Sequence, residues 1–378
     1  MRKRYLLTPG PTPLPYEVSE AQARPIIHHR TPQFQAFLKE ASEGLKYLFQ
    51  TQGEVFILVS SGTGAMEAAV VNILSPGDIA LTVEGGKFGE RWTEICSSYG
   101  IEAEVLKVEW GRAVDPKEIA RRLAANPKIK AVFTTLCETS TGVTNDIEAI
   151  GKVVKDTSAV LVVDAISGLG AVDFKTDAWG VDICVSGSQK GLMLPPGLGF
   201  ISVSTKAWKK IEESKAPRYY FDLKSCRKAM EKNDTPFTPA ISLIVALNES
   251  LRIIRQDGLD KVFARHRKMA DATRSAVKAL GLELFAPTAA SDAVTAVKVP
   301  AGIDGEKLVK TMRDTYGVTI AGGQSELKGK VFRIAHMGYI EEFDIIVGIS
   351  CLEKVLRQMG YKFQLGSGVG AAEEIFLS

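Results

Sequence analysis

The chain has 378 residues, of which 45% are apolar and 24% are charged, a composition typical of folded globular proteins that excludes a disordered or fibrous chain. At roughly 100 to 200 residues per domain, this length predicts two or three domains. The formal net charge is only +3 and the basic residues are spread along the chain, so we expect no nucleic-acid partner.

From about residue 54 to residue 205, short apolar runs alternate with segments of helical periodicity. Such alternation predicts an α/β domain with a parallel sheet. Several of the runs are apolar throughout, as expected for strands that are covered on both faces. The predicted strands are 55–59, 79–83, 103–108, 131–135, 159–164, 183–186 and 199–202.

Beyond residue 250 the pattern changes. A long helical stretch, with apolar residues from Leu251 to Phe263 at helical spacing, leads into alternating segments at 295–299 and 331–336. The periodicity at 345–359 predicts a further helix. These elements predict a second, smaller α+β domain. The glycine-rich tail from Gln364 is either a docked terminal segment or a frayed one.

Targeting and redox features predict a cytoplasmic protein. The run nearest to a membrane span, 159–172, is shorter than the roughly 18 residues required and contains Asp164, so we expect no membrane partner. The basic N-terminus lacks the apolar stretch of a secretory signal. The five cysteines are widely spaced without a C-x-x-C pair, which predicts reduced thiols. The four histidines show no metal spacing, so we expect no metal and interpret them as structural.

The first candidate binding feature follows the strand predicted at 55–59. Ser61, Gly62 and Thr63 form a small turn that opens a helix. The free N–H groups and positive dipole end of a helix N-terminus bind anions, and glycine lets the backbone approach a phosphate closely. A plain strand-to-helix turn with a hydroxyl N-cap explains the same residues equally well when they are taken alone.

Two further candidates, Asp164 and Lys190, follow predicted buried strands. Ligands of open α/β sheets bind at the carboxyl ends of strands. Taken alone, Asp164 is interpreted as a turn residue and Lys190 as a surface lysine. Lys190, however, lies in a Gly/Ser-rich turn before an apolar segment, 192–200. Desolvation there would lower the pKa of its amine and make it a nucleophile toward a carbonyl.

Taken together, these three features match the requirements of pyridoxal 5′-phosphate (PLP). Lys190 would hold the cofactor as a Schiff base and later move a proton at the substrate α-carbon. Asp164 would keep the pyridine nitrogen protonated, so that the ring can act as an electron sink. The helix that begins at Gly62 would bind the phosphate.

The chain resembles the class V aminotransferases of PLP fold type I, in the branch of alanine–glyoxylate, serine–glyoxylate and serine–pyruvate aminotransferases. The similar segments occur in the family's order along nearly the whole chain. They are TPGPT (8–12), HR (29–30), SSGTGAMEA (60–68), GKFGER (86–91), ETSTGV (138–143), VDA (163–165), SGSQK (186–190) and GKVFRI (329–334).

This resemblance implies an α/β fold with a large PLP-binding domain, 20–256, that contains a mainly parallel sheet flanked by helices. It also implies a small C-terminal α+β domain, 257–378. The N-terminal segment, 1–19, would pack on the small domain or on a partner subunit. The family forms homodimers whose active sites lie between two subunits, so we expect a homodimer.

The resemblance also assigns roles to individual residues around the cofactor. Ser61, Gly62 and Thr63 would bind the phosphate, and Phe88 would stack on the pyridine ring. Thr139 would place a hydroxyl beside the ring, and Gln189 would make another cofactor or phosphate contact. Without the family, Phe88 would be interpreted as a core residue.

Two more assignments concern the substrate and the partner subunit. Arg333 would bind the substrate carboxylate, because a guanidinium pairs with two oxygens at once. Taken alone, Arg333 would be interpreted as a strand residue in a surface ion pair. Thr235 and Thr238 lie in a segment that resembles the one by which the neighbouring subunit of this family reaches the phosphate, so either threonine is a candidate donor.

The predicted function is transfer of an amino group from alanine or serine to glyoxylate or pyruvate. An aspartate-using aminotransferase is an alternative. A cysteine desulfurase is another, but those enzymes have histidine where this chain has Gln189, and Cys351 lies in a periodic apolar run typical of core. A third alternative is a non-catalytic subunit, such as that of a soluble hydrogenase, because fold alone does not settle function.

Overall fold

A computed structural model describes residues 3–378 of the chain. The strands are β1 (Tyr5–Leu6), β2 (Glu54–Val59), β3 (Ile79–Glu84), β4 (Glu102–Lys107), β5 (Ile129–Thr135), β6 (Cys137–Glu138), β7 (Val143–Thr144), β8 (Val160–Asp164), β9 (Ile183–Gly187), β10 (Leu198–Val203), β11 (Val294–Lys298), β12 (Val318–Thr319), β13 (Ala321–Gly322) and β14 (Val331–Ala335). All seven strands predicted between residues 54 and 205 are present.

Helices separate most of these strands. They are α1 (Tyr16–Gln22), α2 (Pro32–Phe49), α3 (Gly62–Ile73), α4 (Lys87–Ser98), α5 (Pro116–Ala125), α6 (Ile147–Val154), α7 (Thr205–Glu213), α8 (Leu223–Met230), α9 (Ile241–Asp257), α10 (Leu259–Ala279), α11 (Gly305–Tyr316), α12 (Glu342–Gln358) and α13 (Ser367–Leu377). A 3₁₀ turn covers Ser325–Leu327. No described helix is both long enough and apolar enough to cross a lipid bilayer.

The large domain is built on a seven-stranded sheet with the order β2-β10-β9-β8-β5-β3-β4. Its neighbouring strands are parallel except around β10, which runs antiparallel to both β9 and β2. The predicted mainly parallel sheet is therefore confirmed, and β10 is its one antiparallel strand. Residues 188–197 join β9 to β10 without a crossover helix, and a parallel arrangement needs such a crossover.

Helices cover both faces of this sheet, which explains its apolar strands. Every residue of β8 is buried, and successive residues point to opposite faces. Leu161 and Val163 belong to a core with α2, α6 and α9, whereas Val160 and Val162 belong to a second core with α3 and α4. A strand covered in this way has no face left for polar side chains, and its polar residue, Asp164, comes at its end.

The small domain packs its own apolar core against the antiparallel sheet β11-β14-β13. The predicted segments at 295–299, 331–336 and 345–359 correspond to β11, β14 and α12. The helical stretch predicted after residue 250 is broken in two at Gly258, whose φ of 83° favours glycine. We propose this break, next to the predicted boundary at 256/257, as the junction between the two domains.

The N-terminal segment connects the small domain to the carboxyl edge of the large sheet. Strand β1 pairs in parallel with β12 of the small domain, and Leu7 is buried in the small-domain core. The chain then runs to the loop after β9, where the Thr12 hydroxyl donates to the carbonyl of Lys190 over 3.0 Å. Residues on one short segment thus contact both domains.

The C-terminal tail forms helix α13, which docks on the small domain, so of the two predicted alternatives the docked one is correct. Ala372 is fully buried in the small-domain core. The buried carboxylate of Glu353 accepts hydrogen bonds from the N–H groups of Gly366, Gly368 and Val369, over 2.6–3.1 Å. A negative charge is favourable at a helix N-terminus, so Glu353 anchors the start of α13.

The buried histidines and cysteines have structural roles. His266 donates from Nδ1 to the Val262 carbonyl over 2.7 Å and accepts at Nε2 from the Gly338 N–H over 3.0 Å. His336 is bonded to the Asp292 carbonyl and to a threonine hydroxyl. Burial lowers the pKa of His266 to about 4 and that of His336 to about 3, so both are neutral near pH 7. All five cysteines are buried and unpaired.

Candidate active site

A cavity lies at the carboxyl edge of the large sheet. It forms where strands β2, β8 and β9 end and where the turn after β6 begins, the position at which α/β sheets bind ligands. It is lined by Ser61, Gly62, Thr63, Phe88, Arg91, Cys137, Thr139, Asp164, Ile166, Ser167, Gln189 and Lys190. Eight of the eleven site residues predicted from the sequence are in this set; Arg333, Thr235 and Thr238 are not.

Lys190 presents a buried amine to the cavity. Only 9% of the residue is exposed, so the interpretation of Lys190 as a surface lysine is wrong. Its Nζ donates to the carbonyl of Pro9. Burial lowers the pKa of Lys190 to about 8, and the negative charge of Asp164 partly opposes that shift. A substantial fraction of neutral, nucleophilic amine therefore exists near physiological pH.

Gly10 gives the lysine its space. Its φ of +108° is rarely adopted by residues with a side chain. A Cβ at this position would lie 2.6 Å from Cδ, Cε and Nζ of Lys190. The N-terminal segment can therefore pass beside the amine only because residue 10 has no side chain.

Asp164 ends β8 and is 3% exposed. Its Oδ1 accepts from the Ile166 N–H over 2.8 Å. Burial raises the pKa of Asp164 to about 7, and the positive charges of Arg91 and Lys190 work against that rise. A bound cation, such as a protonated ring nitrogen, would favour the ionised form further.

The N-terminus of α3 forms the opposite wall. Ser61 is the N-cap residue, but its side chain makes no capping bond to the helix. The first N–H groups of an α-helix have no intrahelical acceptor, so those of Gly62 and Thr63 are free to bind an anion. A Cβ at Gly62 would lie 2.5 Å from Cδ1 of Ile166, so a larger residue here would require the Ile166 side chain to move.

Phe88 lines the cavity from the first turn of α4. The guanidinium of Arg91, one turn later, lies 5.0 Å from the centre of its ring. Arg91 also contacts the Thr63 hydroxyl, with a donor–acceptor distance of 3.4 Å. The family resemblance includes the segment 86–91, but no role for Arg91 was predicted from it. The helical spacing of residues 88 and 91 was the available indication that both face the same way.

Thr139 and Gln189 contribute polar groups to the cavity. The Thr139 hydroxyl lies 3.3 Å from that of Ser167, a residue to which the sequence analysis gave no role. Oε1 of Gln189 is buried and has no hydrogen-bond partner within residues 3–378. Buried polar atoms are nearly always hydrogen-bonded in folded proteins, so an orphan acceptor here indicates a ligand or water donor.

Arg333 lies in β14 and is only 4% exposed, which rules out a surface ion pair. Its Nε and Nη2 donate to the Gly322 carbonyl, and its Nη1 donates to the Thr139 carbonyl over 2.9 Å. Burial lowers the pKa of Arg333 to about 10, so it remains charged. Two of its five N–H groups have no acceptor within the described residues, and they could bind a carboxylate.

The structure places Thr235 and Thr238 outside the cavity of their own chain. They line a shallow apolar groove with Val59, Tyr220 and Phe237. The Thr235 hydroxyl donates to the Phe237 carbonyl over 2.7 Å, and Thr238 is exposed. The groove adjoins the start of α3, because Val59 is followed by Ser60 and Ser61.

The arrangement also bears on the desulfurase alternative. Cys351 is buried within α12 and belongs to the small-domain core, as its apolar periodicity predicted. Cys137 does line the cavity, but burial raises the pKa of its thiol to about 12. Such a thiol is protonated at neutral pH and a poor nucleophile.

The aminotransferase class-V family profile matches residues 4–337, which is most of the chain. The chain belongs to this family. Class V aminotransferases have the PLP fold type I and use PLP as cofactor, so the protein is a PLP-dependent aminotransferase.

The relatives of this chain include aminotransferases and a protein named as a hydrogenase subunit. The chain is 46% identical to the soluble hydrogenase 42 kDa subunit of Anabaena cylindrica, with 99% of each chain covered. It is 40% identical to the L-aspartate–glyoxylate aminotransferase of Paracoccus denitrificans (98% and 95% covered). It is 41% identical to the serine–glyoxylate aminotransferase of Hyphomicrobium methylovorum (98% and 94% covered). Among solved structures, the ureidoglycine–glyoxylate aminotransferase of Bacillus subtilis superposes with a TM-score of 0.96 at 30% identity, covering 100% and 99% of the two chains.

The cavity of this class V aminotransferase fits PLP in its donors and charges. The buried amine of Lys190 and the carboxylate of Asp164 face one space. The unbonded N–H groups at the start of α3 suit a phosphate. We propose that these residues hold the cofactor.

The pKa of Lys190 predicts how the apoenzyme takes up its cofactor. Only the neutral amine attacks a carbonyl, so the rate of PLP uptake should rise with pH and level off above about 8. An unperturbed lysine would instead keep accelerating toward its ordinary pKa near 10.4. Stopped-flow absorption of apoenzyme mixed with PLP, measured from pH 6 to 10, gives this profile.

The matched control is Asp164→Asn. Because the charge of Asp164 raises the pKa of Lys190, its removal should move the midpoint of the uptake profile to lower pH. A wild-type profile that still rises steeply at pH 10 would contradict a desolvated amine at residue 190.

Proposed function

We propose that the enzyme transfers the amino group of alanine or serine to glyoxylate or pyruvate. The observation that carries this proposal is the pairing of a buried, partly neutral amine at Lys190 with a buried guanidinium at Arg333. Arg333 is connected to the cavity through Thr139. Its Nη1 donates to the Thr139 carbonyl, and the Thr139 side chain lines the cavity. Names of relatives that use glyoxylate support the acceptor.

In this proposal each side chain has a separate task. When bound, PLP supplies an electron sink that stabilises negative charge at the substrate α-carbon. Lys190 removes the proton from that carbon and returns one, acting as general base and then general acid. Asp164 holds a proton on the ring nitrogen through its negative charge. Arg333 binds the α-carboxylate that all amino and keto acids share.

An aspartate donor is a second candidate, because one observation favours it. Arg91 lines the cavity, and no carboxylate within residues 3–378 forms an ion pair with it. A second guanidinium could bind the side-chain carboxylate of aspartate, as the name of the Paracoccus relative suggests. The contact of Arg91 with Thr63 instead places it near the phosphate end, so we favour small donors.

We also propose an enzyme rather than a non-catalytic subunit, despite the name of the Anabaena relative. Burying an amine and a guanidinium lowers the free energy of unfolding unless the groups are paired or hydrogen-bonded. A purely structural descendant would have no physical need to retain Lys190 and Arg333 inside the fold.

The buried, unpaired cysteines also fit a reducing compartment such as the cytoplasm.

The direct test is a single half-reaction. Wild-type enzyme loaded with PLP should absorb visible light, and its spectrum should change when alanine or serine is added. Lys190→Ala should retain less than about a thousandth of wild-type turnover, since no other described residue of the cavity offers an amine. The control is Lys152→Ala, which removes an exposed lysine on α6 and should behave as wild type. Normal turnover in Lys190→Ala would contradict the proposal.

A second prediction separates substrate binding from cofactor chemistry. Arg333→Lys keeps a positive charge but loses the forked geometry. For every donor, kcat/KM should therefore fall by an amount equivalent to roughly 1.5 to 3 kcal/mol of lost transition-state stabilisation. The spectrum of bound PLP should stay unchanged. Half-reaction rates with alanine, serine and aspartate measure the effect.

The pattern of losses in Arg333→Lys is decisive. If only aspartate is affected, Arg333 binds a side-chain carboxylate and the α-carboxylate is held elsewhere. If no donor is affected, Arg333 is a structural residue that supports residues 139 and 322 through its hydrogen bonds.

We further propose a homodimer in which the groove containing Thr235 and Thr238 faces the partner. Tyr219 and Tyr220 beside this groove are 81% and 44% exposed, and Tyr220 stacks on Phe237 at 5.1 Å. Large exposed aromatic side chains are enriched at protein interfaces. Sedimentation of the purified protein at micromolar concentration should show a dimer, and Tyr220→Glu should weaken it. A wild-type monomer that is fully active contradicts shared active sites.

A further inference from the structure

The first turn of α4 is capped from outside the helix. Its N-cap residue, Gly86, has no side chain that could accept from the free N–H groups. Those groups instead donate to the segment that follows β5. The Phe88 and Gly89 N–H groups bind Oε2 of Glu138 over 3.1 and 2.9 Å, and the Lys87 N–H binds the Ser140 hydroxyl over 3.0 Å.

Glu138 is suited to this contact because an ionised carboxylate can only accept hydrogen bonds. Its residue is 2% exposed, and four donors surround the carboxylate: the N–H groups of Phe88, Gly89 and Ser140, and the Ser140 hydroxyl. Burial raises the pKa of Glu138, and these donors act against that rise. The positive end of the α4 dipole and nearby Arg333 also compensate the charge.

The fit between the carboxylate and the helix is tight. A Cβ at Gly86 would lie 2.5 Å from both Cδ of Glu138 and Oγ of Ser140. The carboxylate therefore lies directly against the backbone where α4 begins. We expect a change in its shape or hydrogen-bonding pattern to move the helix start, and Phe88 is the second residue of that helix.

Glu138 does not line the cavity, but two residues that adjoin it, Phe88 and Thr139, do. Phe88 presents its ring, and Thr139, the next residue in the chain, presents its side chain. The Thr139 carbonyl also accepts from Arg333. One buried carboxylate thus adjoins the residue proposed to stack on the cofactor and the segment that holds the proposed substrate arginine.

We propose that Glu138 is a positioning residue, whose buried carboxylate fixes the start of α4 so that the Phe88 ring lies against the face of PLP. This inference rests on the proposed function and on the role that the family resemblance implies for Phe88, which is to stack on the cofactor. Glu138→Gln is the test variant, because glutamine keeps the size but replaces one acceptor oxygen with a donor amide.

The experiment is a double-mutant cycle on the binding of PLP to the apoenzyme. Glu138→Gln and Phe88→Ala should each raise the dissociation constant about tenfold, and the double variant should be no weaker than Phe88→Ala alone. The visible circular dichroism of bound PLP should fall in Glu138→Gln, because it reports the asymmetric packing around the ring. Glu94→Gln, a surface change on the same helix, is the matched control.

Three outcomes would overturn the inference. Equal losses from Glu138→Gln in the wild-type and Phe88→Ala backgrounds would mean that Glu138 acts on general stability and not through the ring. Unchanged PLP affinity and dichroism in Glu138→Gln would exclude any role. If Glu138→Gln does not fold, Ser140→Ala removes a neighbouring cap contact, and independent losses in the same cycle with Phe88→Ala decide against the inference. A wild-type apoenzyme that binds no PLP contradicts the proposed function itself.

Discussion

Two ionisable groups of opposite sign, Asp164 and Lys190, are held away from water at one edge of the central sheet. Moving a charge from water into a protein interior costs several kcal/mol even after relaxation. Strands β8 and β9, which lead to these groups, are buried at every residue and supply the apolar packing that offsets this cost. The remaining parts of the site are arranged around this pair, and its position follows from where the two strands end.

Much of the fold could be predicted because a sheet covered on both faces requires apolar strands. The apolar runs that become β5 and β8 can be recognised as strands without knowing which strands pair with them. The direction of β10 was not predictable from its composition, since an apolar strand looks the same in either direction. Its antiparallel course depends on the connection through residues 188–197. The break at Gly258 was missed because the apolar periodicity continues across it.

The site was predictable where function follows directly from a strand end. Asp164, Lys190 and the turn at 61–63 each follow an apolar run, so their meeting could be inferred from topology alone. Glu138 and Arg91 were given no role, because what they contact is distant in the chain or is recognised only in three dimensions. Glu138 binds N–H groups some fifty residues earlier. The family resemblance, rather than any local pattern, singled out Arg333.

Gly10 shows a different kind of constraint. The backbone there passes so close to Lys190 that even the methyl group of alanine would occupy the space of the lysine side chain. Gly10 contributes by lacking a side chain, so a search for reactive groups does not detect it. A substitution at residue 10 would displace the Lys190 side chain and strain a backbone with a φ of +108°. Tolerance to mutation in this enzyme is therefore set partly by residues that have no chemistry of their own.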